Sequence, residues 1–405
     1  MLEYQTLAVL AAFAFLYSVF ASGLERTPIN GALVYLFAGL ACGPYGLGLL
    51  ELNVDAEGVK GLAEFTLALV LFSDAANSDL AVLRRVRWIP VRLLLVGLPL
   101  TICAGVAFGY LIFDELTLLE IALLATMLAP TDAALGQAVV TNDSVPPAVR
   151  ESLNVESGLN DGICVPVLLV FLALASGQVS AGETVGLLER LPLQEIGIGA
   201  GVGILASTMG GYALNRTEVH GWLSGVWVQI PIVALAMFCF GLSQWLGGSG
   251  FIACFVGGLF FGALAKQHKE ILLSGAEGSG RVFSLLTWFT FGAVVVGKAL
   301  ETLSWEVAAY ALLSLSVIRM LPVVVCLVGV AAKFDTQLFV AWFGPRGLAS
   351  IVFIVMVLQE NLPGGETLAA VVVCTVALSI VAHGISAVPL ANIYGRRVAA
   401  RDGRV

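Results

Sequence analysis

The chain has 405 residues, of which 59% are hydrophobic and 12% charged, with a mean hydropathy of +0.96 and a formal net charge of −8. Soluble domains carry about 25% charged residues, and a soluble chain of this length would divide into domains joined by polar linkers. Neither description fits, so a soluble enzyme and a nucleic-acid-binding protein are both excluded as expectations. Apolar runs follow one another instead, each about 18 to 25 residues long, which is what a helix needs to cross about 30 Å of hydrocarbon. The short alternating segments of a β-barrel are lacking. The expected fold class is an all-α polytopic membrane protein, a single membrane-embedded domain over 1–405.

In chain order the hydropathy pattern predicts thirteen helices, near 4–22, 30–49, 59–78, 88–113, 117–140, 148–176, 192–215, 222–246, 249–266, 281–300, 305–332, 336–358 and 366–392. The first follows "MLEYQT", which lacks a basic leader and a small-residue cleavage site, so it reads as a mature span. The eighth and ninth are parted only by "GGSG" at 247–250, and "GLFFG" at 258–262 supplies a small-residue face for close helix packing. Seven cysteines fall inside apolar segments without a CxxC pair and read as packing residues.

Lys and Arg in the connecting loops set the orientation. One set of loops holds Arg26; Arg84, Arg85, Arg87 and Arg92; Arg150; Arg216; Lys266, Lys269 and Arg281; Lys333; and Arg396, Arg397, Arg401 and Arg404. The opposite set holds only Lys60, Arg190 and Lys298. The expected topology therefore has the N-terminus outside and the C-terminus in the cytoplasm, as an odd number of spans requires.

Ionisable groups inside spans cost about 2.5–3.5 kcal/mol each on insertion scales and are functional candidates by default. Here they are Glu64, Asp74, Asp132, Glu156, Asp161, Arg319, Arg346 and His383. In the span near 148–176, Ser157 and Asp161 stand four residues apart, as do Glu156 and Asn160, so each pair shares a helix face. "LAPTDAALG" puts Thr131 and Asp132 directly after Pro130, and "FGPRGLAS" surrounds Arg346 with Gly344, Pro345 and Gly347. Proline removes a helix hydrogen bond, which is tolerated at membrane depth only where the freed backbone lines a protein-enclosed site. The spans near 88–113, 117–140 and 148–176 form one triplet with a broken middle member, and those near 305–332, 336–358 and 366–392 form another. Paired interruptions in two halves are the mark of an inverted-repeat transporter with its ion site between the breaks. The broken ends expose helix dipoles of about half a charge each, which Asp132 and Arg346 are placed to offset. Taken singly, Arg319 reads as structural and His383 as a packing residue. No HExxH, GxSxG or DDxxD motif points to an intramembrane enzyme.

"PTD" at 130–132, "ESGLNDG" at 156–162 and "GPRG" at 344–347, with "GPYGLGLL" at 43–50 and the "RRVR" loop, resemble the NhaP/NHE-type monovalent cation:proton antiporters of the bacterial branch, in motif order and over essentially the whole chain. The resemblance implies thirteen transmembrane helices with two broken crossing helices, and a homodimer in the inner membrane of a bacterium. It implies a dimerisation part over about 1–80 and 192–300 and an ion-carrying core over about 88–176 and 305–392. Residue by residue it makes Asp161 the exchanging carboxylate with Asn160 before it. Asp132, Thr131 and Ser157 become further Na+ ligands, Glu156 and Arg346 a buried pair, and Arg319 the arginine of the eleventh helix. Two departures stand out. Ala133 follows Asp132 where many relatives have proline. Where many relatives have a glutamate on the third helix, Ser73 takes the position and Asp74 follows, which leaves the third-helix ligand open.

Low dielectric penalises a bare carboxylate, and a desolvated Na+ takes hard oxygen ligands. Proton and cation would thus compete for Asp161, and exchange follows if the empty charged core cannot cross. No cofactor is expected beyond the transported ions. Relatives with two adjacent acids at this point of the sixth helix are electrogenic. Asn160 replaces the first of them and implies electroneutral exchange. Li+ or K+ in place of Na+ is the nearest alternative, and a sodium-coupled organic solute symporter a more distant one.

Overall fold

The computed structural model describes residues 4–24, 31–50, 56–78, 87–132, 135–177, 184–222, 224–265, 269–330 and 332–401. Arg26, Arg84, Arg85, Ala133, Lys266 and Arg404 lie outside the described residues. All regular structure among the described residues is helical. The helices are α1 Tyr4–Leu24, α2 Gly31–Cys42, α3 Ala56–Asn77, α4 Trp88–Ile112, α5 Leu118–Met127, α6 Gln137–Val140, α7 Pro147–Ala175, α8 Thr184–Val219, α9 Ile230–Trp245, α10 Gly250–Leu264, α11 over 269–301, α12 Trp305–Leu315, α13 Val317–Cys326, α14 Phe334–Trp342, α15 Leu348–Gln359 and α16 Gly365–Arg401. Among the described residues, six helices are long and apolar enough to cross a membrane. Each predicted segment contains one helix or a broken pair.

The local chemistry accounts for the boundaries. Thr117 and Glu120 form a reciprocal capping box that starts α5. Gly247 adopts φ +77° in the "GGSG" turn, and the Ser249 hydroxyl then accepts the Ile252 amide to start α10. Five ends differ from the sequence expectation by seven residues or more: α2 stops at Cys42, seven residues early, α8 starts at Thr184, eight residues early, and three others have a visible cause. α9 begins at Ile230, eight residues late, with Pro231 in its first turn, where a missing amide costs nothing. α11 begins at Lys269, twelve residues early, because Leu272, Leu273 and Ala276 bury one face of a segment whose other face exposes Ile271, Ser274 and Glu277. α16 continues nine residues past 392, where Tyr394 stacks on Phe339 with ring centroids 4.2 Å apart and Arg401 pairs with Asp335.

α3, α8, α10 and α11 pack on one another, and α4, α5, α7 and α12 to α16 form a second set of neighbours. The "GLFFG" face performs as expected: a Cβ on Gly258 or Gly262 would run into the α3 backbone at Phe72 and Ala76. α7 touches α3, α8 and α10, α15 touches α3, and α16 touches α11. Exposed tryptophans stand at helix ends: Trp88 opens α4, Trp222 and Trp227 lie between α8 and α9, Trp245 closes α9, and Trp305 opens α12. That is where amphipathic rings settle at a membrane–water interface.

Candidate ion site at the crossing of two broken helices

α5 stops at Met127 and α6 starts at Gln137; α14 stops at Trp342 and α15 starts at Leu348. The two interruptions touch, with the Asp132 amide donating to the Pro345 carbonyl at 2.8 Å. On one side of this crossing the Ser350 hydroxyl of α15 donates to the Met127 carbonyl at the end of α5. On the other, Val139 of α6 shares an apolar cluster with Phe339 and Val340 of α14. The chain therefore passes through the two breaks in opposite directions.

Each break supplies the charge that the other needs. The Arg346 guanidinium donates to the carbonyls of Ala129 and Pro130, at 2.7 and 3.0 Å, just beyond the C-terminal end of α5. The Asp132 carboxylate accepts the Leu348 amide at the first residue of α15, at 3.0 Å, and the Leu135 amide at 3.2 Å. A cation thus sits at a helix C-terminus and an anion at a helix N-terminus, the favourable arrangement for both dipoles. Both side chains are buried. Gly347 admits this contact, since a Cβ there would collide with the Asp132 carboxylate.

α7 lies against the first break. The Ser157 hydroxyl donates to the Thr131 carbonyl at 2.6 Å, and the Asn160 amide donates to the Thr131 hydroxyl at 2.8 Å. Asp161, one residue on and equally buried, has a carboxylate oxygen with no hydrogen-bond partner among the described residues. It lies within electrostatic range of Asp132. A crevice lined by Thr131, Asp132, Leu153, Ser157, Phe343 and Pro345 reaches the break from the α6 side. It has room for about one water, about 10 Å³, and Ser157, one helical turn from Asp161, borders it.

The expected Glu156–Arg346 pair is not what forms. Glu156 pairs with Arg319 at 2.6 Å, both buried, while Arg346 donates from Nη1 to both α5 carbonyls and its Nε and Nη2 have no partner among the described residues. The physical reason is the break itself: the Ala129 and Pro130 carbonyls lie past the end of α5 without helical donors, and the Arg346 guanidinium reaches them from the other interruption. Arg319 follows a second discontinuity, at Ser316 (φ −110°, ψ −95°), which parts α12 from α13.

Ser73 is buried with no partner for its hydroxyl among the described residues. Asp74, half-buried, is within electrostatic range of Asp132 and of Glu277. Its carbonyl accepts the Ser78 hydroxyl, which in turn accepts the Asn154 amide of α7. His383, read from sequence as a packing residue, is hydrogen-bonded at both ring nitrogens, and Ser379 and Ser350 were not singled out at all. Only the four-residue spacing of Ser379 and His383, opposite the "FGPRG" segment, could have marked them.

A family model described as "Sodium/hydrogen exchanger, transmembrane" matches residues 8–393. The K(+)/H(+) antiporter NhaP2 of Shewanella oneidensis is 24% identical over 387 residues, covering 95% of this chain and 66% of that one. This chain thus spans just under two thirds of the length of that relative. The Na(+)/H(+) antiporter of Schizosaccharomyces pombe is 24% identical over 258 residues, covering 60% of this chain and 55% of that one. Among solved structures, the sodium proton antiporter MjNhaP1 from Methanocaldococcus jannaschii at pH 8 shares the fold, with a TM-score of 0.77 at 21% identity over 93% of this chain and 98% of that one.

Proposed function

This chain belongs to the sodium/hydrogen exchanger transmembrane family, a family of transporters rather than enzymes, and from that premise we propose that it exchanges a monovalent cation for a proton at Asp161. The observation that carries the reading is the unpartnered oxygen of Asp161, buried beside a backbone break whose carbonyls and hydroxyls are already oriented. A buried carboxylate without a fixed partner takes either a proton or a cation, because either removes its charge in a medium that does not solvate it. The Ser157 and Thr131 oxygens are hard donors of the kind Na+ takes. Asp132 accepts two backbone amides, so its part is to hold the crossing and to add negative potential at Asp161.

The crevice lies beside Thr131 and Ser157 on the side of α6 and the start of α7, which by the loop charges is the cytoplasmic side. In this reading thirteen spans cross the inner membrane of a bacterium, N-terminus outside. Residues 88–176 and 305–392 form a core that moves against a dimerising part over 1–80 and 192–300. That movement carries Asp161 from one face to the other. Asn160 gives its amide to Thr131 and carries no proton, which supports exchange of one cation for one proton. Na+ is the first reading. K+ is the second, favoured by the printed name of the NhaP2 relatives.

Purified protein in liposomes, with an internal pH dye and external Li+, Na+ or K+ in turn, tests this. Proton movement evoked by at least one cation, absent in Asp161→Asn, is the expected result. Proton movement that persists in Asp161→Asn overturns the site.

A further inference from the structure

The backbone between α14 and α15 leaves polar groups without helical partners, and a membrane interior offers no water to take them. Two of these groups are met by one helix. The Arg346 amide donates to the Ser379 hydroxyl at 2.7 Å. The Trp342 carbonyl, at the end of α14, accepts the Gly344 amide at 2.8 Å and lies 2.9 Å from Nε2 of His383, a second donor for its other lone pair. Ser379 and His383 stand four residues apart on α16, and the Ser379 hydroxyl lies 3.1 Å from the His383 Nδ1. Both residues are buried.

The chemistry of the partners assigns the protons. Each ring nitrogen lies 2.9 Å from a carbonyl and a neutral ring donates to only one of them; the Ser379 hydroxyl can serve Nδ1 as a donor, whereas Nε2 faces only the Trp342 carbonyl, so the hydrogen belongs on Nε2. In the neutral ring Nδ1 is then an acceptor. The Ser379 hydroxyl, whose oxygen already accepts the Arg346 amide, has its own hydrogen left for Nδ1. The Ser379 carbonyl also lies 2.9 Å from Nδ1, but a neutral ring protonated on Nε2 has no hydrogen to give it. We infer that His383, as the neutral Nε2–H tautomer, and Ser379 form a relay from the Arg346 amide to the Trp342 carbonyl that fixes the width of the second break and so positions the ion site.

The consequence for the site follows through the backbone. Residues 342 to 346 carry Pro345, whose carbonyl accepts the Asp132 amide, and Arg346, whose guanidinium holds the Ala129 and Pro130 carbonyls. The next two residues bring the Leu348 amide to the Asp132 carboxylate. Bridging Trp342 to Arg346 therefore sets where Thr131 and Asp132 stand. His383 also lies 5.1 Å, ring to ring, from Trp342, whose indole donates to Ser386 on the next turn of α16. His383 touches no ion ligand, so it is a positioning residue.

The transport arm of the test rests on the antiport reading; the spectroscopic arm does not. The chain has three histidines, and 15N-histidine-labelled protein in lipid, with His383→Gln to identify the signal, reports the tautomer directly. A neutral ring protonated on Nε2 is expected; a ring protonated on Nδ1, or an imidazolium at neutral pH, overturns the relay. In liposomes, His383→Ala should raise the apparent cation KM by about tenfold, the order of one net hydrogen bond lost at the break, with a smaller change in maximal rate. Ser379→Ala should do the same, their combination should add little, and His383→Gln, which offers an amide donor and an acceptor, should restore most of the affinity. If His383→Ala does not assemble, Ser379→Ala decides. An unchanged KM in Ser379→Ala, with only thermal stability lowered, refutes positioning. Wild-type protein inert toward every cation, with the expected tautomer, removes the antiport reading and leaves the relay standing.

Discussion

The two interruptions do the same thing to a helix and serve different ends. The one between α5 and α6 turns its polar groups toward α7 and the crevice: the Thr131 carbonyl meets Ser157, and the Thr131 hydroxyl meets Asn160. The one between α14 and α15 turns its groups inward, to Ala129 and Pro130 through Arg346 and to Ser379 through the Arg346 amide. One break presents oxygens, and the other holds them in place. Freed backbone is thus not a binding site by itself. It becomes one only where neighbouring side chains leave an acceptor facing a buried carboxylate.

If this division is right, substitutions on the two sides should fail differently. The largest effect belongs to Asp161→Asn, which should reduce cation-evoked proton movement to the background of empty liposomes while the protein still purifies as a folded species. Next is Arg319→Ala, which leaves Glu156 buried without its guanidinium. Breaking a buried pair commonly costs about 3–5 kcal/mol, so a large fall in melting temperature in detergent is expected. An unchanged melting temperature would show that the pair adds nothing to stability.

Arg346→Ala comes third. It removes donors from two carbonyls rather than stranding a charge, at about 1–3 kcal/mol, and should cost transport more than melting temperature. The reverse ranking of Arg319 and Arg346 in thermal melts would collapse the distinction between a stabilising pair and a bracing arginine. Gly347→Ala is smaller again. Its methyl would push on the Asp132 carboxylate, so cation affinity should fall while the protein remains assembled. Normal affinity in that variant would mean that the two breaks are looser than drawn here.

The smallest expected effect is none at all. With Asn160 carrying no proton, exchange of one cation for one proton moves no net charge. A membrane potential acts at about 2.3 kcal/mol per charge per 100 mV and should have nothing to act on. Liposomes clamped with valinomycin and K+ at several potentials, with Na+ as substrate, should therefore reach the same ion gradient. A shift of that end-point with potential would call for a second proton carrier, and Asp74, near both Asp132 and Glu277, would be the first to examine.

Much of the architecture was legible in the chain because bilayer thickness imposes a length on every apolar run, and because proline beside a charge inside such a run has few explanations. Thr131 and Asp132 were marked this way, Asp161 by its charge inside a span and Ser157 and Asn160 by four-residue spacing, and the structure brings all five to one crossing. Close packing of α10 on α3 was readable from the glycines of "GLFFG", since only small residues let two backbones approach. What the sequence could not contain was pairing. The family resemblance implied Glu156 with Arg346, but nothing in residue spacing says which of two arginines, 163 and 190 positions away, arrives first. Tertiary structure decided it: Arg346 reaches the carbonyls left past the end of α5, and Arg319 reaches Glu156. The same holds for His383 and Ser379. Their role exists only because α16 passes beside the second break, and a lone histidine in an apolar run carries no trace of which backbone atoms will need it.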